Sequence, residues 1–153
     1  MGSTYKTSLA NIFSLQKRAL KLCKWKRKCT SEISDNPGTD KVNHHSIFKV
    51  CARLSIYNLN KFLILKFIYQ VLNHLSPLCF YSFFTLKTSI HSHNTRTDEY
   101  LTLFLKSAES NVKKLSLSVR GPVLWNSIPC HIRSSESLRL FSKHLKEFLI
   151  ANS

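Results

Sequence analysis

Residues 115–129 read LSLSVRGPVLWNSIP. Leu115, Leu117 and Val119 alternate with Ser116 and Ser118, the two-residue period of a strand with one dry face and one wet face. A short strand is the expectation. Arg120, Gly121 and Pro122 break the alternation, because glycine permits a backbone turn and proline suits the first position of a helical turn. Val123, Leu124, Trp125 and Ile128 then fall on one side of that turn, and Pro129 ends it. Trp125 is expected in the core among aliphatic neighbours; the alternative use of its indole is stacking on a nucleic-acid base. Residues 98–104 read as the partner strand, which makes a minor β-hairpin whose connecting loop carries Lys106, Lys113 and Lys114.

The chain on either side of this hairpin has the period of helices. Downstream, Leu138, Phe141, Leu145, Phe148 and Leu149 form an apolar stripe with Arg139, Lys143 and Lys146 on the wet side, and Ser135 or Ser137 can cap the helix. Upstream, residues 58–75 predict a long helix that is apolar almost all round: between Phe62 and Leu72 only Lys66 and Gln70 are polar. Such a helix belongs at the centre of a fold. It is too short to span a bilayer, which needs about 20 apolar residues, and Lys66 interrupts it. Ser76 and Pro77 stop it, and residues 77–84 predict a further short helix turning Leu78, Phe80, Phe83 and Phe84 toward the same core. A short helix is also expected over 47–54. The predicted fold class is therefore mainly α: a small helical domain with a central apolar helix and a minor β-hairpin.

At the other end, Leu9, Ile12, Phe13, Gln16, Ala19, Leu20 and Cys23 recur at three- and four-residue steps, with Lys17, Arg18, Lys21 and Lys24 mainly opposite. Residues 1–29 thus predict a basic amphipathic helix, with Ser8 as its cap. Lys17, Arg18, Lys21, Lys24, Lys26, Arg27 and Lys28 follow one another with no carboxylate between them. A charge run can be no more than a solvated face. Like charges so close repel by a few tenths of a kcal/mol per pair, about 0.2–0.5 in isolated helices, and an anionic partner relieves this. Trp25 inside the run could stack on a base, sit at a membrane interface or lie exposed at the helix end. Residues 30–46 are polar, contain Pro37-Gly38, and predict a linker. Cys23, Cys29, His44 and His45 do not have the spacing of a structural zinc knuckle, so no metal is expected.

With 153 residues the chain is long enough for one domain with a real core, 47–153 supplying it, and its formal charge of +15 points to a polyanionic partner. Nucleic acid comes first and an acidic membrane second; the membrane reading is the weaker, because the apolar face of the basic helix is needed by the core. Five cysteines without regular spacing argue for free thiols in a reducing compartment. No signal peptide or acylation pattern stands at the start, and the early helical pattern fits a piece of a longer polypeptide as well as a complete one.

Residues 85–96, TLKTSIHSHNTR, have neither period. His91, His93 and Arg96 could contact phosphate, or cap backbone groups in a surface loop. Nothing here positions a nucleophile with a carboxylate partner. The three aspartates, Asp35, Asp40 and Asp98, are not paired as two-metal polymerase chemistry requires, so no catalytic residue and no cofactor is expected.

RGPVLWNSIP, with HSHNTR at residues 91–96, LQKRALKL at 15–22 and SLRLFSKHLKEFL at 137–149, resembles the C-terminal region of LINE-type, non-LTR retrotransposon reverse transcriptases of the jockey-like group. The match is poor over 24–45, where the family runs through a short histidine-containing connector and this chain has a longer polar insertion. The resemblance implies a region lying after the polymerase palm and thumb that handles template RNA and target DNA, within an intracellular ribonucleoprotein, nuclear or cytoplasmic. Together with the charge it assigns nucleic-acid binding to Lys17, Arg18, Lys21, Lys24, Trp25, Lys26, Arg27 and Lys28, with His91, His93, Arg96, Lys113, Lys114 and Arg120 contributing. The alternative is a structural scaffold that docks on the polymerase thumb without touching nucleic acid, and in either case the rest of the reverse transcriptase polypeptide is a partner.

Overall fold

The computed structural model describes residues 6–30 (side chains of 8–22), 48, 53–90 and 101–152. The elements in chain order are α1 (Lys6–Thr30), α2 (Ile56–Leu72), a 3-10 stretch (Leu78–Phe83), a 3-10 turn (Lys87–Ser89), α3 (Asn111–Lys114), α4 (Leu117–Asn126), α5 (Cys130–Arg133) and α6 (Leu138–Ala151).

α2 is the axis, and α1, α4 and α6 all pack against it. The Ser55 side chain starts α2 by accepting from the Asn58 amide at 3.3 Å. Ile64, Leu65, Ile68, Tyr69 and Val71 are buried along it. It ends at Leu72, short of the expected Leu75, because His74 turns to φ 56° and Leu75 swings out to solvent.

α6 is capped by Ser137, whose side chain accepts from the Leu140 amide at 3.3 Å, and buries Phe141, Leu145 and Leu149 against α2. Each side chain so buried contributes about 1.5–3 kcal/mol. Asn58 Nδ2 donates to the Leu149 carbonyl at 3.1 Å and ties the two helices at their far ends. At the centre, Phe141 stacks on Tyr69 with ring centroids 4.3 Å apart and on Trp125 at 5.9 Å. Trp125 is wholly buried, as expected from its aliphatic neighbours.

The expected β-hairpin is absent: there is no strand among the described residues, and residues 117–126 form α4. The alternating leucines also fit a helix, since Leu117, Gly121, Leu124, Trp125 and Ile128 follow at steps of four, three, one and three. Ser116 takes an extended conformation at the N-cap position, without a side-chain cap bond, and its carbonyl accepts from the Arg120 amide at 2.9 Å as the first helical bond instead of continuing a strand. Gly121 and Pro122 make no turn, and α4 runs straight through them. A Cβ at Gly121 would stand 3.1 Å from both Ile68 Cδ1 and Phe84 Cε1, so the glycine allows close approach of α4 to α2. Pro122 gives up one helical hydrogen bond, and its fully buried ring offsets that loss.

Leu101 turns through a left-handed φ of 58°, and residues 102–104 after it are extended, yet they pair elsewhere. Leu103 forms an isolated antiparallel bridge with Leu86, through Lys87 N to Thr102 O at 2.9 Å and Phe104 N to Thr85 O at 2.8 Å. On the other edge, Asn126 Nδ2 donates to Leu103 O at 2.8 Å and Asn126 Oδ1 accepts from Leu103 N at 3.0 Å. One side-chain amide thus does the work expected of a partner strand.

The segment after Pro77 is a 3-10 helix in which Phe80 packs edge-on against Phe67 at 5.2 Å, and Phe84, extended just past its end, reaches the core. Leu78, expected inside, is 80% exposed, because the tight 3-10 turn carries it away from α2. The expected helix over 47–54 and linker over 30–46 lie largely outside the described residues.

Candidate nucleic-acid interface

α1 begins at Lys6, so Ser8 lies within its first turn and is not its cap. Phe13 and Gln16 are two of the side chains that dock it. The Phe13 ring lies 5.1 Å from Tyr57 and stacks on the buried Phe48 at 5.8 Å. Gln16 Nε2 donates to the Leu54 carbonyl at 2.8 Å while its Oε1 accepts from the Ile56 amide at 2.9 Å. That second bond satisfies a first-turn amide of α2, which has no partner within its own helix.

The expected single apolar face is in fact two. Leu9, Phe13, Gln16 and Leu20 are half-buried on the side that meets α2, whereas Ile12, Leu15 and Leu22 are 49%, 62% and 68% exposed with Ala19 exposed among them. The signal was in the spacing: 9, 13, 16, 20 and 12, 15, 19, 22 are separate rows.

Of the basic residues, Arg18 and Lys21 are exposed on α1. Lys17 is half-buried and folds its Nζ over the Phe13 ring, 4.5 Å from the centroid, one helical turn back. Lys24, Trp25, Lys26, Arg27 and Lys28 continue the same helix, with side chains outside the described residues. His91, His93 and Arg96 also lie outside the described residues. Lys113 and Lys114 are exposed in the last turn of α3, and Arg120 is half-buried on α4. These two groups sit on separate elements. α1 meets the start of α2 at Ile56 and Tyr57, and α4 meets it at Ile68, roughly 18 Å further along at about 1.5 Å per residue.

An open groove of about 340 Å³ lies between α5 and α6, lined by His131, Ile132, His144, Glu147, Phe148 and Ala151. Among the described residues no three His, Cys, Asp or Glu side chains are grouped as a metal ion needs, and no helix is long and apolar enough to cross a membrane. Cys79 and Cys130 are exposed free thiols. No protein-family description, no curated protein and no solved structure matches this chain.

Proposed function

We propose that this chain is a non-catalytic accessory region of a retrotransposon RNA-directed DNA polymerase, binding template RNA or target DNA through the basic side of α1. The polymerase context rests on the sequence resemblance alone. The observation that carries the binding is one continuous helix, Lys6–Thr30, along which seven Lys and Arg residues from Lys17 to Lys28 follow one another in the sequence with no Asp or Glu among them. Phosphates spaced along a nucleic-acid backbone neutralise such a row and release condensed counterions.

Affinity should therefore fall steeply with salt. With about four to six of these side chains engaged, the log-log slope on duplex DNA should be near −4 to −5, and shallower on single strands. Replacing Lys24, Lys26, Arg27 and Lys28 by Gln should weaken binding on every sequence alike and flatten the slope, since phosphate contacts position without reading bases. A second reading, a scaffold that docks on the polymerase thumb, is favoured by the apolar surface beyond α2, where Leu75, Leu78 and Phe83 are exposed. An unchanged slope in the fourfold variant would decide for the scaffold.

A further inference from the structure

α1 carries an apolar row that stays exposed to solvent. Ile12, Leu15, Ala19 and Leu22 are all exposed, while in the neighbouring half-buried row of Leu9, Phe13, Gln16 and Leu20 the Phe13 ring and the Gln16 amide make contacts to α2. The steps of three, four and three are those of alternating a and d positions in a heptad. At 3.6 residues per turn the row covers an arc of about 80°, narrower than the face of 100° or more by which a helix joins a broad apolar surface. Its width is that of a seam between two helices.

We propose that this seam receives an amphipathic helix of a separate, acidic protein partner. Charge selects the occupant. The exposed Arg18 borders the seam at a g position, Lys21 lies beyond it, and Lys26 occupies the next a position of the same heptad. The first 31 residues contain no Asp or Glu, so a second copy of α1 would set basic residues against basic residues. A bilayer is disfavoured on geometry, because the arc is narrow and one of its flanks is occupied by the contact with α2. Glutamates at the e and g positions of a partner helix set carboxylates along the edge of the seam where Arg18 stands. With only about three turns of seam the complex is weak, with Kd on the order of 10–100 µM.

The test uses the whole chain and two synthetic three-heptad peptides, each with Ile at a and Leu at d, one with Glu and one with Lys at e and g. By fluorescence anisotropy the Glu peptide should bind, the Lys peptide should bind at least tenfold more weakly, and added salt should weaken the Glu complex. Leu15→Gln with Leu22→Gln should reduce Glu-peptide binding at least tenfold while the melting curve and nucleic-acid affinity stay unchanged, which separates this surface from the one proposed for nucleic acid. Should the Gln pair melt early, Leu15→Ala with Leu22→Ala keeps helix propensity at its highest and carries the same test. The proposal is overturned if the Glu peptide does not bind, if both peptides bind alike, or if the folded variant binds as the parent does. It is equally overturned if the parent sediments as a dimer that these substitutions dissociate, or if they abolish binding to phosphatidylserine vesicles, since the seam then belongs to a second copy or to a membrane.

Discussion

Trp125 and Asn126, neighbours on α4, hold the segment 101–104, a turn at Leu101 followed by extended backbone, by different means. The indole is fully buried, stacks on Phe141, and donates from Nε1 to the Leu101 carbonyl at 2.8 Å. Trp125→Ala removes a large core side chain and should destabilise the protein by about 3–5 kcal/mol in denaturant unfolding; a variant that unfolds like the parent would show that the indole does not anchor the core. Asn126→Ala leaves both backbone groups of the buried Leu103 without their partner, and should cost about 2–4 kcal/mol. Its specific signature is loss of hydrogen-exchange protection at the Leu103 amide. Tyr69 gives a pH dependence. Burial raises its pKa above the ordinary tyrosine value, and its hydroxyl donates to the Ser135 carbonyl at 2.7 Å. The folded state therefore favours the neutral phenol, so this contribution is complete below the unfolded-state pKa, near 10, and is lost as pH rises through the higher folded value. Tyr69→Phe should flatten the alkaline fall in stability while costing about 1 kcal/mol at neutral pH from the lost hydrogen bond. An unchanged alkaline limb would assign that fall to other groups.

Among the elements, α2 and α6 are legible because only a helical period fits them. The run from Phe62 to Leu72 is too long for a strand, and Leu138, Phe141, Leu145 and Leu149 recur only at three- and four-residue steps. Residues 115–119 fit two periods at once, and what decides between them is distant in sequence. Gly121 lets α4 pack directly on Ile68 and Phe84, and Asn126 saturates Leu103 so that no partner strand is required. At the candidate interface the charge of α1 is readable and its two apolar rows are separable by spacing, but which of the rows meets α2 is not. Gln16 reads as a neutral spacer until Leu54 and Ile56 are seen to need a donor and an acceptor at the same place. The return of Lys17 onto Phe13, by contrast, is readable as an i, i+4 pair. Because Gln16 joins two elements, Gln16→Leu should act locally, costing about 1–2 kcal/mol from the two lost hydrogen bonds. Hydrogen exchange should quicken at the Ile56 amide and remain unchanged in α6. Uniform acceleration through both helices would mean that α1 is integral to the core.

For the molecule as a whole, the buried apolar cluster runs from Ile64 to Leu149 and, among the described residues, draws no side chain from α1. α1 is attached at one end of α2, through Phe13 on Phe48 and Tyr57 and through Gln16. Charge is distributed in the opposite sense. Residues 1–30 hold eight of the 23 Lys and Arg residues and none of the eight carboxylates. Stability and electrostatic attraction therefore reside in separable parts of the chain. Deleting residues 1–30 should leave a cooperative unfolding transition, lowered by about 2–4 kcal/mol for the half-buried Leu9, Phe13 and Leu20 contacts. The same deletion should weaken nucleic-acid binding at least tenfold at about 0.1 M salt and bring the salt slope close to that of the fourfold Gln variant, because each phosphate contact removed takes about 0.9 from the duplex slope. A truncated protein that unfolds without a cooperative transition would place α1 in the folding unit. One that folds and keeps the parent's slope would move the phosphate contacts to the other elements, with Lys113, Lys114 and Arg120 the first to replace.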